Sequence, residues 1–345
     1  MSVKPRLEEI ASLVGVSIST VSRALSGHRA ISAATRNAVQ DAATQIGYRL
    51  PVQGRRPGKA ATRMVGVVVG ALHNRFMTEL LEHMHDALQT AGYQLALIIE
   101  PMNNAAALHT LRPLVDGYLD GLVVMTATLD SPVVAELRQR ALPMVLVVRS
   151  VDGLDVDTVE IDNVHAGAEA SRHLLALGHQ SIGLVLGPRN TSTSRDRHAG
   201  VEACVEQQGL KGVDVHVAWG EYTSESGYAA TMRLLSSHSS MTALIAGNDT
   251  IALGILEAAM RRGLSVPEQL SVIGFDDSPM AASPLLSLTT IRQPIEAMAR
   301  TAVKRLVARM TRAYLGPAVH DLLPITLIQR ATTCTCSPSR STPSC

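Results

Sequence analysis

Two sets of side chains in this sequence have types and spacing that could do chemistry. The first lies between Leu7 and Gly27, where Ile18, Ser19, Ser22 and Arg23 recur on one side of a helical pattern. They are short and mostly polar, and the set ends in a guanidinium. Such side chains fit the floor and walls of a DNA major groove, where Arg pairs with guanine O6 and N7. The second set stands at the ends of apolar runs: His73, Asn74 and Arg75; Arg149; Asp162 and Asn163; Arg195 and Arg197; Asn248 and Asp249; Asp276 and Asp277. Loops are polar anyway, so one such residue says little. Six groups at corresponding strand ends point to a ligand cleft, because open α/β sheets bind ligands there.

The elements that must position the first set are legible. Leu7, Ile10, Ala11 and Val14 fall on one apolar helix face. Gly15 follows, where a positive φ would end that helix and turn the chain. Ser17 stands at the N-cap of a second helix, whose Val21, Ala24 and Leu25 point back to the first. Ser32 caps a third helix with the stripe Ala38, Val39, Ala42, Ala43 and Ile46, closed by Gly47. This pattern alone would equally suit a small packing module with no DNA role. Charge separates the two. Residues 1–63 carry ten Lys/Arg against three Asp/Glu, a net +7, whereas the whole chain is +1. A basic head on an acidic body is the footprint of phosphate contact.

From Met64 onward, apolar runs of strand length alternate with helical periodicity. The strands are MVGVVVGAL, YQLALII, DGLVVM, PMVLVV, SIGLVLG, VDVHVAW, TALIAG, LSVIGF and a last strand LLPITLI. Helices are expected over 77–92, 105–116, 132–141, 166–177, 196–208, 226–236, 249–263 and 294–312. Continuous Val/Ile/Leu strands between helices imply parallel sheets covered on both faces, here in two successive α/β lobes. A cleft between the lobes is the geometric expectation.

The head resembles that of the lactose/galactose-repressor family of bacterial transcription regulators. The matching residues are I-A-x-x-x-G-V-S from Ile10 to Ser17, S-T-V-S-R-A-L from Ser19 to Leu25, and Tyr48 after the third helix. The resemblance runs on to about Arg330. It implies an α/β protein with a three-helix helix-turn-helix head and a bilobed, periplasmic-binding-protein-like core. The expected division is a head at 1–48, a hinge at 49–63, a core at 64–330 and a disordered tail at 331–345. Crossovers near 150–163 and 276–293 would divide the core into lobes of 64–162 plus 277–293, and 163–276 plus 294–330. DNA contacts are expected from Ser17, Ile18, Ser19, Thr20, Ser22, Arg23, Arg29, Thr35, Arg36, Arg55 and Arg56. A homodimer would place two heads on a near-palindromic operator. Its interface is expected on the first lobe, around 76–90 and 105–118.

By the same resemblance, Arg197 (in R-D-R-H-A-G), Asn248 (in G-N-D) and Asp276 (in G-F-D-D) would contact a small effector, with Tyr222 as an aromatic wall. His73, Asn74 and Arg149 complete the expected pocket. The Arg and His content of the cleft favours a sugar acid or sugar phosphate over a neutral sugar. Asp277 is expected to act as a helix cap or lobe bridge, and Arg195 to be structural. In relatives the hinge becomes a short helix that wedges a leucine into the minor groove. This sequence departs from that: Gly54, Pro57 and Gly58 are poor helix residues, and Pro57 stands about where the leucine would be. Arg55, Arg56 and Lys59 could instead lie extended along a narrow minor groove, or the segment could be a plain charged linker.

Other functions fit less well. No G-x-G-x-x-G opens the first lobe and no G-x-x-x-x-G-K-[ST] occurs. There is no G-x-S-x-G elbow, and His179 and His198 have no evident Asp/Ser partners. No enzyme activity, cofactor or metal is expected. Cys204 reads as a buried thiol, and the spacing of Cys334, Cys336 and Cys345 is not a zinc pattern. No run approaches the ~20 apolar residues of a membrane span. The N-terminus lacks an apolar signal region, so the cytoplasm is the expected location. The rival readings are a cytoplasmic solute-binding protein and a sugar-handling enzyme, each without a DNA role.

Overall fold

The structure is a computed structural model that describes residues 7–25, 31–45, 62–70, 72, 74–100, 106–140, 142–209 and 212–336. Arg29, Arg55, Arg56, His73 and residues 49–61 of the hinge expected at 49–63 lie outside the described residues. The chain forms two compact units, one carrying the first three helices and the other carrying the remaining elements.

The head is built from α1 (Leu7–Val14), α2 (Ile18–Leu25) and α3 (Ala33–Gln45). Ile10 and Ala11 of α1, Val21 and Ala24 of α2, and Val39, Ala42 and Ala43 of α3 close one small core. Gly15 has φ +71°, the left-handed conformation the turn requires. Ser17 Oγ accepts the Thr20 N–H at 3.1 Å, and Ser32 Oγ accepts the Thr35 N–H at 3.1 Å. Both serines therefore cap as their positions predict. Ala38 departs from the expected stripe. It is exposed, because Val39, Ala42 and Ala43 already fill the space facing α1 and α2.

The core begins with β1 (Met64–Val69), α4 (Arg75–Thr90), β2 (Gln94–Ile99), α5 (Ala106–Gly117), β3 (Gly121–Val124), α6 (Pro132–Gln139), β4 (Met144–Val147) and β5 (Asp157–Ile161). It continues with α7 (Asn163–Ala176), β6 (Ser181–Leu186), α8 (Ser192–Gln208), β7 (Asp214–Trp219), α9 (Ser224–Ser237), β8 (Ala243–Ala246), α10 (Asp249–Arg261) and β9 (Ser271–Asp276). Last come α11 (Pro279–Ala282), β10 (Thr289–Arg292), α12 (Ile295–Met310), β11 (His320–Leu323) and β12 (Thr326–Ile328). Two six-stranded sheets result, ordered β11-β5-β4-β3-β1-β2 and β12-β10-β9-β8-β6-β7. All neighbours are parallel except β10 and β12.

The residue pattern explains the layering. In β6, Ile182, Leu184 and Leu186 face the same core as Ala170, Leu174, Val201 and Cys204 of α7 and α8. Val185, between them, faces Ala230, Ile251 and Ile255 of α9 and α10. A strand apolar on both faces must be covered on both. The α7–α8 pair packs backbone to backbone. A Cβ on Gly167 would collide with the Arg197 carbonyl, and one on Gly200 with the Val164 carbonyl. Two glycines thus set the height at which α8 carries Arg197.

Three expectations need correction. First, LLPITLI is two strands in different lobes, β11 in the first sheet and β12 in the second. Pro324 separates them, since it has no N–H to give a ladder. Second, the lobe assignment differs. Thr289–Arg292 pairs with β9 in the second lobe, and α12 packs on α4, β3, β4 and β5 of the first. The chain therefore changes lobe around Asp162, around Gln293–Pro294 and around Pro324–Ile325. The strand TTIR has no apolar run, which is why its place was not legible.

Third, the tail is not disordered at its start. Thr332 O accepts Val272 N–H at 2.7 Å, and its hydroxyl donates to Val272 O at 2.7 Å while accepting Thr289 N–H at 2.9 Å. His179 Nε2 lies 3.1 Å from Cys334 O, and Cys336 N–H donates to Leu177 O at 2.7 Å. Composition suggested disorder, yet the segment satisfies buried backbone groups along β9 that would otherwise lack partners. A chain ending at Arg330 should lose roughly 5–10 °C in the core's unfolding midpoint, through several orphaned groups at about 1–3 kcal/mol each. An unchanged calorimetric midpoint would show that these bonds contribute nothing.

Candidate functional site

The head presents one side of α2 to solvent. Ile18, Ser19, Ser22 and Arg23 are exposed while Val21 and Ala24 are buried. Ser17 and Thr20 stand at the entrance to α2, their hydroxyls 2.8 Å apart. Thr35 shares a hydrogen bond with Ser32, and Arg36 reaches back to Ile31 O at 3.3 Å. Ile18, 46% exposed, is an apolar group with no core to join. A short row of hydroxyls, one aliphatic group and a guanidinium on an exposed helix matches what base edges and a thymine methyl present in a major groove.

The core places the second set around one open cleft between the lobes. Asn74, Arg149, Arg197, Tyr222, Asn248 and Asp276 all line it, together with Phe76, Met77, Val148, Thr193 and Gln293. Strand-end position thus gathers Asn74, Arg149, Arg197, Asn248 and Asp276 in one place, and Tyr222, expected from the family resemblance, joins them. Phe76 and Met77 come from the first turn of α4 and Thr193 from the start of α8. Gln293 sits at a lobe crossover. Their signal was weak, since apolar residues at helix starts read as core and Gln293 follows a strand the pattern did not mark.

Several of these residues do structural work as well. Asn74 caps α4 by accepting Phe76 N–H at 3.0 Å. Asn248 caps α10 by accepting Ile251 N–H at 2.9 Å. Each keeps its amide NH2 for another acceptor. Arg197 is buried. Its Nε donates to Asn163 Oδ1 at 3.0 Å, its Nη1 donates to Gly247 O, and its guanidinium lies 4.3 Å from the Phe275 ring centre. The Tyr222 hydroxyl lies 2.7 Å from both Thr193 Oγ1 and Ser194 Oγ. Its ring occupies the space a side chain at Gly187 would fill. Burial raises the Tyr222 phenol, but the charges of Arg149 and Arg197 outweigh that and hold it below its ordinary value.

The carboxylates are arranged unusually. Asp276 is buried at the end of β9 with φ +115°, and Gln293 Nε2 donates to its Oδ1 at 2.7 Å. Burial, reinforced by Asp249, pushes it well above the carboxylate range. Asp249 accepts the Thr290 hydroxyl at 2.7 Å and Ser278 N–H at 2.8 Å, and burial pushes it up to about 6. Among the described residues Asp277 neither bridges the lobes nor caps a helix. It accepts from Arg292 at 2.6 Å and Arg330 at 2.5 Å, all within the second lobe. Arg195 pairs with Asp152 and Asp196 at 2.7 Å each. Val148, at φ +73°, is a β-branched residue in the left-handed region. Such strain clusters at binding sites.

The Asp249 geometry has a measurable sign. Its folded pKa, about 6, lies above the unfolded value near 4. The folded chain therefore binds the proton more tightly, and this contribution to stability is full below pH ~4 and lost as pH rises toward ~6. In Asp249→Asn the amide oxygen can take Ser278 N–H and the NH2 can donate to Thr290. Urea midpoints of the variant should lack the decline that wild type shows over that window. Parallel pH profiles would refute the assignment.

Among the described residues, no group of three or more His, Cys, Asp or Glu could hold a metal ion, and no helix is long and apolar enough to cross a membrane. Comparison with known proteins matches residues 6–50 to a family described as bacterial regulatory proteins, lacI family, and residues 171–333 to a periplasmic binding protein-like domain. The HTH-type transcriptional regulator MalR of Streptomyces coelicolor is 33% identical over 325 residues, 92% of each chain. A solved structure of a transcriptional regulator CelR–cellobiose complex superposes with TM-score 0.74 at 29% identity, covering 95% of this chain and 99% of that one. The lac repressor dimer bound to operator and the anti-inducer ONPF superposes with TM-score 0.69 at 25% identity, covering 96% and 100%.

Proposed function

The chain belongs to the lacI family of bacterial regulatory proteins, and from that premise we infer how its two sites divide the work. It is a DNA-binding transcriptional regulator with an effector-binding core. We read it as a cytoplasmic repressor that catalyses no reaction and acts as a homodimer. Ser17, Ile18, Ser19, Thr20, Ser22 and Arg23 read base edges and place the recognition helix, while Thr35 and Arg36 approach the phosphates. Arg29, Arg55 and Arg56 add positive charge to residues 1–63 and are assigned to DNA phosphates on that ground alone. The edge strand β2 leaves Leu97 and Ile99 exposed, and we assign this side of the first lobe to the second copy.

The effector is a small sugar-like molecule held in the cleft. Asn74 and Asn248 offer amide groups, Asp276 a carboxyl and Arg197 a guanidinium, and Tyr222 and Phe76 cover its apolar face. Closing the lobes on it changes operator affinity through its differential affinity for the two states. One observation carries the reading: a solvent-facing row of DNA-compatible side chains on α2 and a two-lobed polar cleft occur in one chain. The test is selection of bound DNA from a random pool at physiological salt with the full-length protein. Recovery of a roughly 14–20 base-pair palindrome is expected from a dimeric reader. Recovery of no motif would leave charge-driven binding alone and overturn the proposal.

A further inference from the structure

We propose that Arg149 makes the cleft select an effector bearing an anionic group, a carboxylate or a phosphate, over its uncharged parent. This rests on the assignment of the cleft as the effector site. The observation behind it is an unpartnered cationic donor; Gln293 Oε1, which lines the same cleft, is also buried without a partner, but it is a neutral acceptor and does not call for an anion. Arg149 leaves the end of β4 into the cleft, and its Nε is buried with no hydrogen-bond partner. Among the described residues no carboxylate forms an ion pair with it.

Its neighbours are differently placed. Arg197 spends donors on Asn163 and Gly247 and rests on Phe275. Arg195 is closed by Asp152 and Asp196, and Asp277 by Arg292 and Arg330. Asp276 is held by Gln293. Glu221, which attracts Arg149 through space, is exposed to water. The residue before Arg149 offers no acid either. Val148 lines the cleft with an isopropyl group on a strained backbone.

An Arg guanidinium stays charged at any pH a protein meets, so the site cannot relieve the imbalance by losing a proton. A charged donor buried without an acceptor costs free energy. Tyr222 fixes where the acceptor must come. Its ring lies 5.3 Å from the guanidinium carbon and supports one face of the group. The Tyr222 oxygen already shares hydrogen bonds with Thr193 and Ser194. The remaining direction is the cleft. A carboxylate or phosphate there would take two parallel, charge-assisted bonds from the fork, which a hydroxyl cannot.

The experiment uses full-length protein and matched trios: glucose, glucuronate and glucose 6-phosphate, then galactose, galacturonate and galactose 6-phosphate, then ribose, ribonate and ribose 5-phosphate. Thermal stabilisation finds binders, and calorimetric titration gives affinities. Within at least one trio an anionic member should bind more tightly than its neutral parent. Preference for the acid identifies a carboxylate and preference for the ester identifies a phosphate. In Arg149→Gln the ratio of anionic to neutral affinity should fall about 30-fold, since a hydrogen bond to a charged group contributes roughly 1.5–3 kcal/mol. Arg149→Lys, which keeps the charge without the fork, should retain part of the ratio. Equal or tighter binding of the neutral parents, or an unchanged ratio in Arg149→Gln, overturns the inference and leaves the effector cleft standing. Failure of every compound to bind overturns both.

Discussion

Arg23→Ala should abolish operator selectivity and leave the head folded. The side chain sits on the exposed face of α2, while the residues that hold the helix, Val21 and Ala24, are buried and untouched by the change. A bidentate Arg–guanine contact discriminates by about 1–3 kcal/mol, tenfold to a hundredfold at each half-site. Two heads on one palindrome lose it twice. Binding to unrelated DNA should change far less, because one phosphate-neutralising charge among ten Lys/Arg in residues 1–63 shifts the salt slope by at most about one per head. Anisotropy titrations of the selected operator and a scrambled duplex, at several salt concentrations, separate the two effects. If the ratio of the two affinities survives the substitution, α2 is not the reading helix.

The head was legible because its signals are local. A serine three residues before a helical N–H, a glycine at a turn and an apolar i, i+3, i+4 stripe each specify structure within a few residues. The lobes were legible in alternation but not in allegiance. Whether a strand joins one sheet or the other depends on pairings far away in sequence, and TTIR and LLPITLI carry no mark of them. The candidate cleft lay between. Strand-end position pointed to Asn74, Arg149, Arg197, Asn248 and Asp276, since chain direction in a parallel sheet gathers those ends on one edge. It could not show what else each residue does. Arg197 also ties Asn163, at the first crossover, to the end of β8 through Gly247. Arg197→Ala would therefore orphan two acceptors and open a buried space, mixing loss of fold with loss of ligand binding. Nor could sequence foresee that Gly167 and Gly200 set the helix spacing beneath it, because a glycine within a helical pattern says only that something comes close.

Asp276 offers the cleaner test of the cleft, and its two expected effects run in opposite directions. Asp276→Asn preserves shape, and Asn tolerates the positive φ of 115° nearly as well as Asp. Its amide oxygen can still accept from Gln293. What disappears is the carboxylate, whose ionisation burial and Asp249 both oppose. Because that pKa is raised in the folded state, wild type loses stability as pH climbs through it, whereas the variant does not. The variant should therefore gain in urea midpoint relative to wild type as pH rises. Effector binding should move the other way. A carboxyl that bonds ligand hydroxyls contributes roughly 1.5–3 kcal/mol when charged, so the tightest binder among the sugar panel should lose about tenfold to a hundredfold in affinity. Operator affinity without ligand should hold. A stabler protein that no longer answers its ligand is the signature of a group kept for binding at a cost to the fold. Unchanged ligand affinity in a stabilised variant would instead make Asp276 a buried carboxylate with no part in recognition, and would move the effector to another wall of the cleft.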